Sequence, residues 1–594
     1  MTRVLLVCLL AVAGCTGDSD DRADTGACAD YDPRRNAYFG DLHVHTGFSF
    51  DARAYDNLLT PADAYRFAAG QPVELAPLDA PRTAQIDRPL DFVAVTDHGE
   101  FLGEIATCTT PGASGYESPM CVDYRDPDQN GALAFGLQLS FGEPTRVEEV
   151  CGAGGRLCLE RSAERWGQMR KDAADAYARC ELTTFPAYEY TNTFRVSNLH
   201  RNVVFAGDSV PERPVTYFEA PTPPDLWRLL ERDCRSEGQD CDVVVLPHNS
   251  NLSNGQLFYL GETDAETAAL RARMEPIVEV FQHKGDSECR SAIPGSLGDG
   301  DPLCAFEKQR PPSDPICPDD EPGSGGMRLS GCSHRLDFVR DVLGEGLAAE
   351  AGALGSNPYR LGFIGSTDTH NGTPGHVQSE GFPGHIGKAD ARPQDRLGAG
   401  NVTHDGIINN PGGLAAVWAE ENTREAIFAA LRRRETFATS GPRIRLRLYL
   451  VRGLAEDVSC DDVDALLEAA EAAGVAMGSQ LPPGEGTPTI VAIAHKDRVE
   501  LDGLEAITVS LGADGLAVSQ VTKLASGPAD SLCAVTPVDA STGLVYLRAY
   551  EAETDRWSVS QCDALPAGHR TTECDAGLVA DRVRQRAWSS PIWF

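Results

Sequence analysis

The stretch 36-NAYFGDLHVHTGFSFD-51 decides how the chain is read. It looks like a strand ending in a turn, with His43 and His45 at alternate positions. Imidazoles at i and i+2 of a strand share one face, so the pair can grip one cation. The other half of such a site lies far downstream in Thr367-Asp368-Thr369-His370, after the apolar run Leu361 to Gly365. An HxH early and a DxH late, each at a strand end, is the order in which a barrel of strands presents ligands around one rim.

Outward from that stretch the pattern repeats. Thr60 to Gly70 has a threonine N-cap, proline at the first helical position and a closing glycine, which predicts a helix. Phe92 to Thr96 is a continuous apolar run, like a buried parallel strand, and it ends in Asp97-His98. Thr184 to Tyr190 reads as one strand carrying Glu189 near its end, followed by His200 and Arg201 in LHRNVVF. Val243 to Leu246 runs into Pro247-His248, and Pro276 to Gln282 into His283 and Lys284. Helices are expected from about 162 to 178 and 336 to 351. A further helix, opened by a capping box at Asn422 to Glu425, is expected to run to Arg434. The expected fold is therefore α/β: a barrel over 36–443 with cysteine-rich insertions at about 105–180 and 285–335. After Arg443 the pattern turns to short alternating strands, which predicts a β-rich, sandwich-like domain over 444–594.

At 594 residues two domains are expected. The formal net charge of −36 works against binding the phosphate backbone of a long nucleic acid, so no nucleic-acid polymer is expected as partner. Arg3, the apolar run Val4 to Ala13 and Val12-Ala13-Gly14-Cys15 form a leader (1–15) like that of a bacterial lipoprotein, with Cys15 as the lipidated residue; an ordinary secretory leader is the alternative. Residues 16–35 then form an acidic, flexible tether. This places the protein outside the cytoplasm, periplasmic or at the outer membrane or cell surface, attached to a membrane through its lipid. Cysteine usage agrees: of 18, Cys8 and Cys15 belong to the leader, which leaves an even number. Cys108 and Cys121, Cys151 and Cys158, Cys234 and Cys241, Cys317 and Cys332, and Cys562 and Cys574 are close enough to read as disulfides stapling loops.

His43, His45, His98, Glu189, His200, His248, Asp368 and His370 all fall at or just after predicted strand ends, with Asp51 in the loop after HxH. Any one histidine is more often a core or surface residue than a ligand. The coincidence of nine donors is not explained that way. Imidazole mixed with carboxylate suits zinc, manganese or iron, and this many donors suit two or three divalent ions, with Glu189 able to bridge.

HVHTGFSFD, VAVTDHGE, YEY followed by LHRNVVF, VVLPHN and STDTH resemble the metal motifs of the PHP (polymerase and histidinol phosphatase) superfamily. NAYFGDLHVHT, RETFATSGPRI from Arg434 and the terminal RAWSSPIWF further resemble the bacterial group called domain of unknown function 3604. The resemblance implies a distorted seven-stranded barrel with His43 and His45 on one ion beside Asp368 or Glu189. It implies Asp51 and His98 on another, Glu189, His200 and His248 at a second or bridging position, and His370 closing the set. It also implies a phosphoesterase acting on a small phosphate ester; Arg201, Lys284 and His283 are the candidates to touch the phosphoryl group or protonate the leaving oxygen and Asp97 to orient a ligand, with ordinary surface charge or strand-end packing as the alternative. Two rivals stand beside it: a metal-dependent hydrolase of an amide, lactone or sulfate ester, and a non-catalytic surface lipoprotein that binds glycan or a protein partner. The aromatics at Trp557 and in 586–594 either bind sugar or pack the last strand against the barrel, and packing is the expectation. The sequence leaves the oligomeric state open.

Overall fold

The computed structural model describes residues 26–594 apart from 78–79, 127–130, 142–143, 236–239, 401–405 and 456–457. The expected leader, Cys15 and the first half of the expected tether lie outside the described residues. Residues 28–35 are tied down rather than loose. Cys28 is bonded to Cys180, and Arg35 pairs with Glu420 and Glu435 at 3.2 and 2.7 Å.

Helices and strands alternate as the sequence predicts through the first two thirds of the chain. The Asn36–Asp41 strand is followed by the helix Pro61–Ala68, where Thr60 and Asp63 cap each other's backbone reciprocally. The strand Phe92–Ala94, the long helix Arg156–Ala176 and the strand Thr183–Phe185 come next. Asn36–Asp41, Phe92–Ala94 and Thr183–Phe185 lie parallel and adjacent in a ten-stranded sheet. Gly40 is required there, because a Cβ would lie 2.2 Å from Phe92 O.

The expected single strand from Thr184 to Tyr190 is two. Pro186, which has no N–H for a ladder, separates Thr183–Phe185 in the large sheet from Ala187–Tyr190, which turns away to pair antiparallel with Arg201–Phe205, itself paired with Val243–Pro247. A third sheet sets Ile277–Gln282 parallel to Gly362–Gly365. Inward side chains from all three sheets, among them Tyr38, Phe92, Phe185, Val204, Leu246 and Ile364, share one core. The ends of these strands converge above it, tied by parallel bridges between Val44 and Thr369 and between His98 and Glu189.

Several expectations are corrected. The first strand stops at Asp41, so His43 and His45 stand on the extended segment beyond it. The helix Arg424–Arg432 is capped by the Thr423 side chain on Ala426 N rather than by a box from Asn422. The insertion after Cys108 is helical: Tyr124 and Phe135 pack on Phe50, and the Tyr124 hydroxyl donates to Phe50 O at 2.7 Å, buttressing the turn that carries Asp51.

The region after Arg443 is rich in strands, as expected, but the large sheet runs straight through the expected boundary. Arg586–Ser589 pairs with Thr436–Thr439 on one side and Leu544–Glu551 on the other, and Leu501–Leu511 and Ala517–Ala529 extend the same sheet. A four-stranded sheet built on Arg445–Arg452 and Pro488–His495 shares an apolar core with it. Trp588 and Trp593 are buried, so the terminal aromatics pack, as expected, and are not exposed sugar platforms. Among the described residues eight disulfides form: the five local pairs read from spacing, together with Cys28–Cys180, Cys289–Cys304 and Cys460–Cys533. Such a set is consistent with an extracellular or periplasmic location. Among the described residues no helix is long and apolar enough to cross a membrane.

Candidate metal centre

Above the shared core, imidazole nitrogens and carboxylate oxygens meet in overlapping groups. His43 Nε2 and His45 Nε2 lie 3.3 and 3.2 Å from Glu189 Oε2, and each lies 3.3 Å from Asp368 Oδ1. The other Glu189 oxygen, Oε1, faces His200 Nδ1 at 2.6 Å and His248 Nε2 at 3.2 Å. Asp51 Oδ2 faces His98 Nε2 at 3.1 Å and His370 Nε2 at 2.9 Å. All nine donors that the sequence singles out therefore lie in one place, with Glu189 between two of the groups.

The backbone and the surrounding hydrogen bonds aim these donors. Asp368 sits at φ 54, in the left-handed region that aspartate tolerates better than most residues, and its N–H donates to His43 O at 3.0 Å. His43 Nδ1 lies 2.9 Å from Glu279 Oε2, and His370 Nδ1 lies 2.9 Å from Asp368 O. His45 Nδ1 lies 2.9 Å from Ser49 Oγ, whose hydroxyl donates to Asp97 Oδ1 at 3.0 Å. Asp97 also accepts from Thr46 N and Thr46 Oγ1 at 2.6 and 2.7 Å, so it positions His45 through Ser49. In a neutral ring, a nitrogen occupied as a donor on one side leaves a lone pair on the other, and here the other side faces the centre.

Two observations bear on whether a cation fits. Glu189 Oε2 and Asp368 Oδ1, the two oxygens shared by His43 and His45, are buried and receive no hydrogen bond. Buried carboxylate oxygens left without a donor are costly unless a positive charge stands beside them. The protein's own charges supply part of it. Burial pulls the His43 imidazole down, but Asp368 and Glu279 outweigh it and hold the ring well above its usual range. Burial lowers His98 too, yet Glu189 and Asp51 raise it to about 9. Burial pushes the Glu189 carboxyl up, and His98, His248 and His200 carry it well below the carboxylate range. The donor set, oxygen and imidazole nitrogen in small groups, is one that divalent transition metals accept.

The remaining expectations divide. His283 and Lys284 are at the centre: the Lys284 ammonium pairs with Asp368 Oδ2, and His283 Nε2 lies 3.5 Å from that oxygen. His283 is fully buried and groups with Asp368 and His370, the placement of a further donor rather than of a surface contact. Burial and the Lys284 charge hold its ring well below the usual range, so it is neutral. Arg201 is not at the centre. On its strand it points away from the rim, where its guanidinium pairs with Glu275, itself bonded to Arg271 and Trp227 at 2.9 and 3.0 Å. The contact with a phosphoryl group expected of Arg201 is excluded by that burial.

Sequence reading missed Glu279, Ser49 and Thr191, the last 2.6 Å from His98 Nδ1. Glu279 had a signal, a lone charge inside the apolar run IVEVFQ. The two hydroxyls had none. A cavity of about 1260 Å³ opens over the centre, walled by the loops 290–292, 302–312 and 327–329 and by residues 577–586.

No curated protein and no solved structure matches the chain. A family model described as a protein of unknown function (DUF3604) matches residues 32–542, on both sides of Arg443 and across the whole centre. The chain belongs to the DUF3604 family.

Proposed function

We propose that this protein is an exported, lipid-anchored hydrolase of PHP type that uses two or three divalent transition-metal ions to cleave a small phosphate ester. The observation that carries the reading is the division of labour within Glu189: one oxygen facing His43 and His45, the other facing His200 and His248, both buried. A purely structural site closes around one ion with four ligands, and this set offers more than twice that beneath an open cavity. His43, His45, Glu189 and Asp368 would hold one ion, Glu189, His200 and His248 a second, and Asp51, His98 and His370 a third, with His283 beside Asp368. Ions so held would polarise a phosphoryl oxygen and lower the pKa of bound water.

The chain's own residues bind and orient. Lys284 places an ammonium at the edge of the centre, where it meets the charge on a phosphoryl group while paired with Asp368. Asp97 and Ser49 fix the orientation of His45, and Glu279 fixes His43. The strands at the rim are, in this reading, those of a distorted seven-stranded barrel.

Elemental analysis of the exported chain, beginning after Cys15, beside an Asp368→Asn, His370→Asn variant tests the reading. Two or three ions per chain, lost in the variant, followed by turnover in a phosphate-ester panel, is the expected result. One ion or none, with no uptake of manganese, iron or zinc on titration, overturns it.

A further inference from the structure

The residues that line the cavity over the centre include more cations than anions, in a protein that is strongly acidic. Nine lysines and arginines line it against five carboxylates, and three of those five belong to the cluster itself. The whole chain carries −36. Walls of one sign with low-dielectric surroundings focus a field that draws in ligands of the other sign.

Most of these cations are neutralised locally, as Lys308 is by Asp286, Arg310 by Asp314 and Arg556 by Glu307. Arg290 and Arg586 differ. They are only 4% and 2% exposed, yet neither forms an ion pair with a described residue. Arg586 donates from Nε to Arg584 O at 3.2 Å and from Nη1 to Leu303 O at 2.9 Å, and its guanidinium lies 3.8 Å from the centre of the Phe306 ring. Arg290 donates to Pro311 O and, at 3.5 Å, to Ser333 Oγ. Hydrogen bonds to neutral oxygens hold the two side chains in place, while Asp314 and Asp337 act on Arg290, and Asp286, Glu288 and Asp301 on Arg586, without a direct ion pair; a buried guanidinium with no anion in contact is costly unless one joins it.

One loop links the two positions. The Cys289–Cys304 disulfide closes a loop whose first bonded cysteine is next to Arg290 and whose last is next to Leu303, the residue that accepts from Arg586. Burial lowers both guanidinium groups, Arg586 to about 10, which leaves them charged at neutral pH.

We propose that Arg290 and Arg586 form an anion subsite in the cavity wall, which takes a carboxylate or phosphate carried by the substrate at the end away from the cleaved ester. The substrate class is then a small organic phosphate ester with a second anionic group. A cavity of about 1260 Å³ has room for such a molecule beyond the phosphoryl group itself. The inference rests on the hydrolase reading for the word substrate, but not for the subsite.

The test uses the metal-loaded exported chain with Arg290→Met, Arg586→Met and Arg586→Lys variants, and compares phenyl phosphate with 4-carboxyphenyl phosphate. The methionine variants are expected to lose at least about tenfold more kcat/KM on the carboxylated ester than on phenyl phosphate, mostly through KM. Arg586→Lys, which keeps the charge and removes the guanidinium fork, gives an intermediate loss and stands in if Arg586→Met does not fold. Equal losses on the two esters overturn the subsite and leave the hydrolase reading standing. A second measurement does not need turnover: calorimetric titration with 4-carboxyphenylphosphonate, which cannot be hydrolysed as an ester. Binding weakened at least about tenfold by the variants, with no turnover of either ester, keeps the subsite and sinks the hydrolase. Binding that the variants leave unchanged, or no binding by the unaltered chain, overturns the subsite.

Discussion

Nδ1 of His43 lies 2.9 Å from Oε2 of Glu279, a carboxylate 236 residues further along the chain. The bond fixes the imidazole's tautomer and raises its basicity at Nε2, where His43 meets Glu189 and Asp368. Glu279→Gln keeps the shape and removes the charge. In the proposed metal centre it is expected to weaken metal affinity by roughly 10–100-fold. Competition against a chelator of known affinity checks it, and an unchanged affinity would show that the Glu279 contact only packs the ring.

Arg201 makes a contrasting prediction. Its partner Glu275 is fully buried and is shared with Arg271 and Trp227. Breaking a buried pair from one side costs about 3–5 kcal/mol. Because Arg271 remains to face Glu275, Arg201→Met is expected near the lower end of that range in denaturant unfolding, with metal content unaltered. Loss of metal at unchanged stability would return Arg201 to the site.

These two residues show what could be read from the sequence and what could not. Eight of the nine donors were legible because each falls at or near the end of a strand, where a side chain leaves the core, and Asp51 because it sits in the turn after HxH. Arg201 opens the strand Arg201–Phe205 beside His200, but alternation sends His200 to the rim and Arg201 to the back, and the strand's phase is set only by its neighbours. Glu279 was hidden by the opposite error, since a charge inside an apolar strand reads as noise until its partner is known. The continuity of the large sheet across Arg443 was illegible for a similar reason. Arg586–Ser589 pairs with Thr436–Thr439 about 150 residues earlier, and nothing local in either strand names the other. Cys28–Cys180 closes a separation of 152 and was missed, whereas five of the six pairs seven to fifteen residues apart were found; Cys289–Cys304, also fifteen apart, was not.

Trp588 tests that sheet directly. It is fully buried, 5.9 Å from the Phe281 ring and 6.2 Å from Phe306, between the strand that leads to His283 and the wall of the cavity. Trp588→Ala is expected to cost about 3–5 kcal/mol in chemical unfolding. A loss under 1 kcal/mol would mean that the terminal strand adds little to the core, contrary to its two ladders.

The last prediction concerns pH and a carboxyl remote from the centre. Asp341, in the first turn of the helix Val339–Ala351, is 2% exposed; its Oδ1 accepts from Leu297 N at 2.9 Å and its Oδ2 has no partner. Burial raises its pKa from 3.8 to about 7. The folded chain then holds a proton that the unfolded chain has released across the whole interval between these values. Stability from this group is therefore fully present below pH 3.8 and falls as pH rises towards 7, by at most about 1.4 kcal/mol per pH unit, and is level again above it. Asn at this position accepts from Leu297 N without titrating. The difference in unfolding free energy between the unaltered chain and Asp341→Asn should thus move in favour of the variant from about pH 4 to about pH 7, and hold constant at higher pH. A difference that stays flat across that interval would show that water reaches Oδ2 and that the carboxyl is charged in the folded protein.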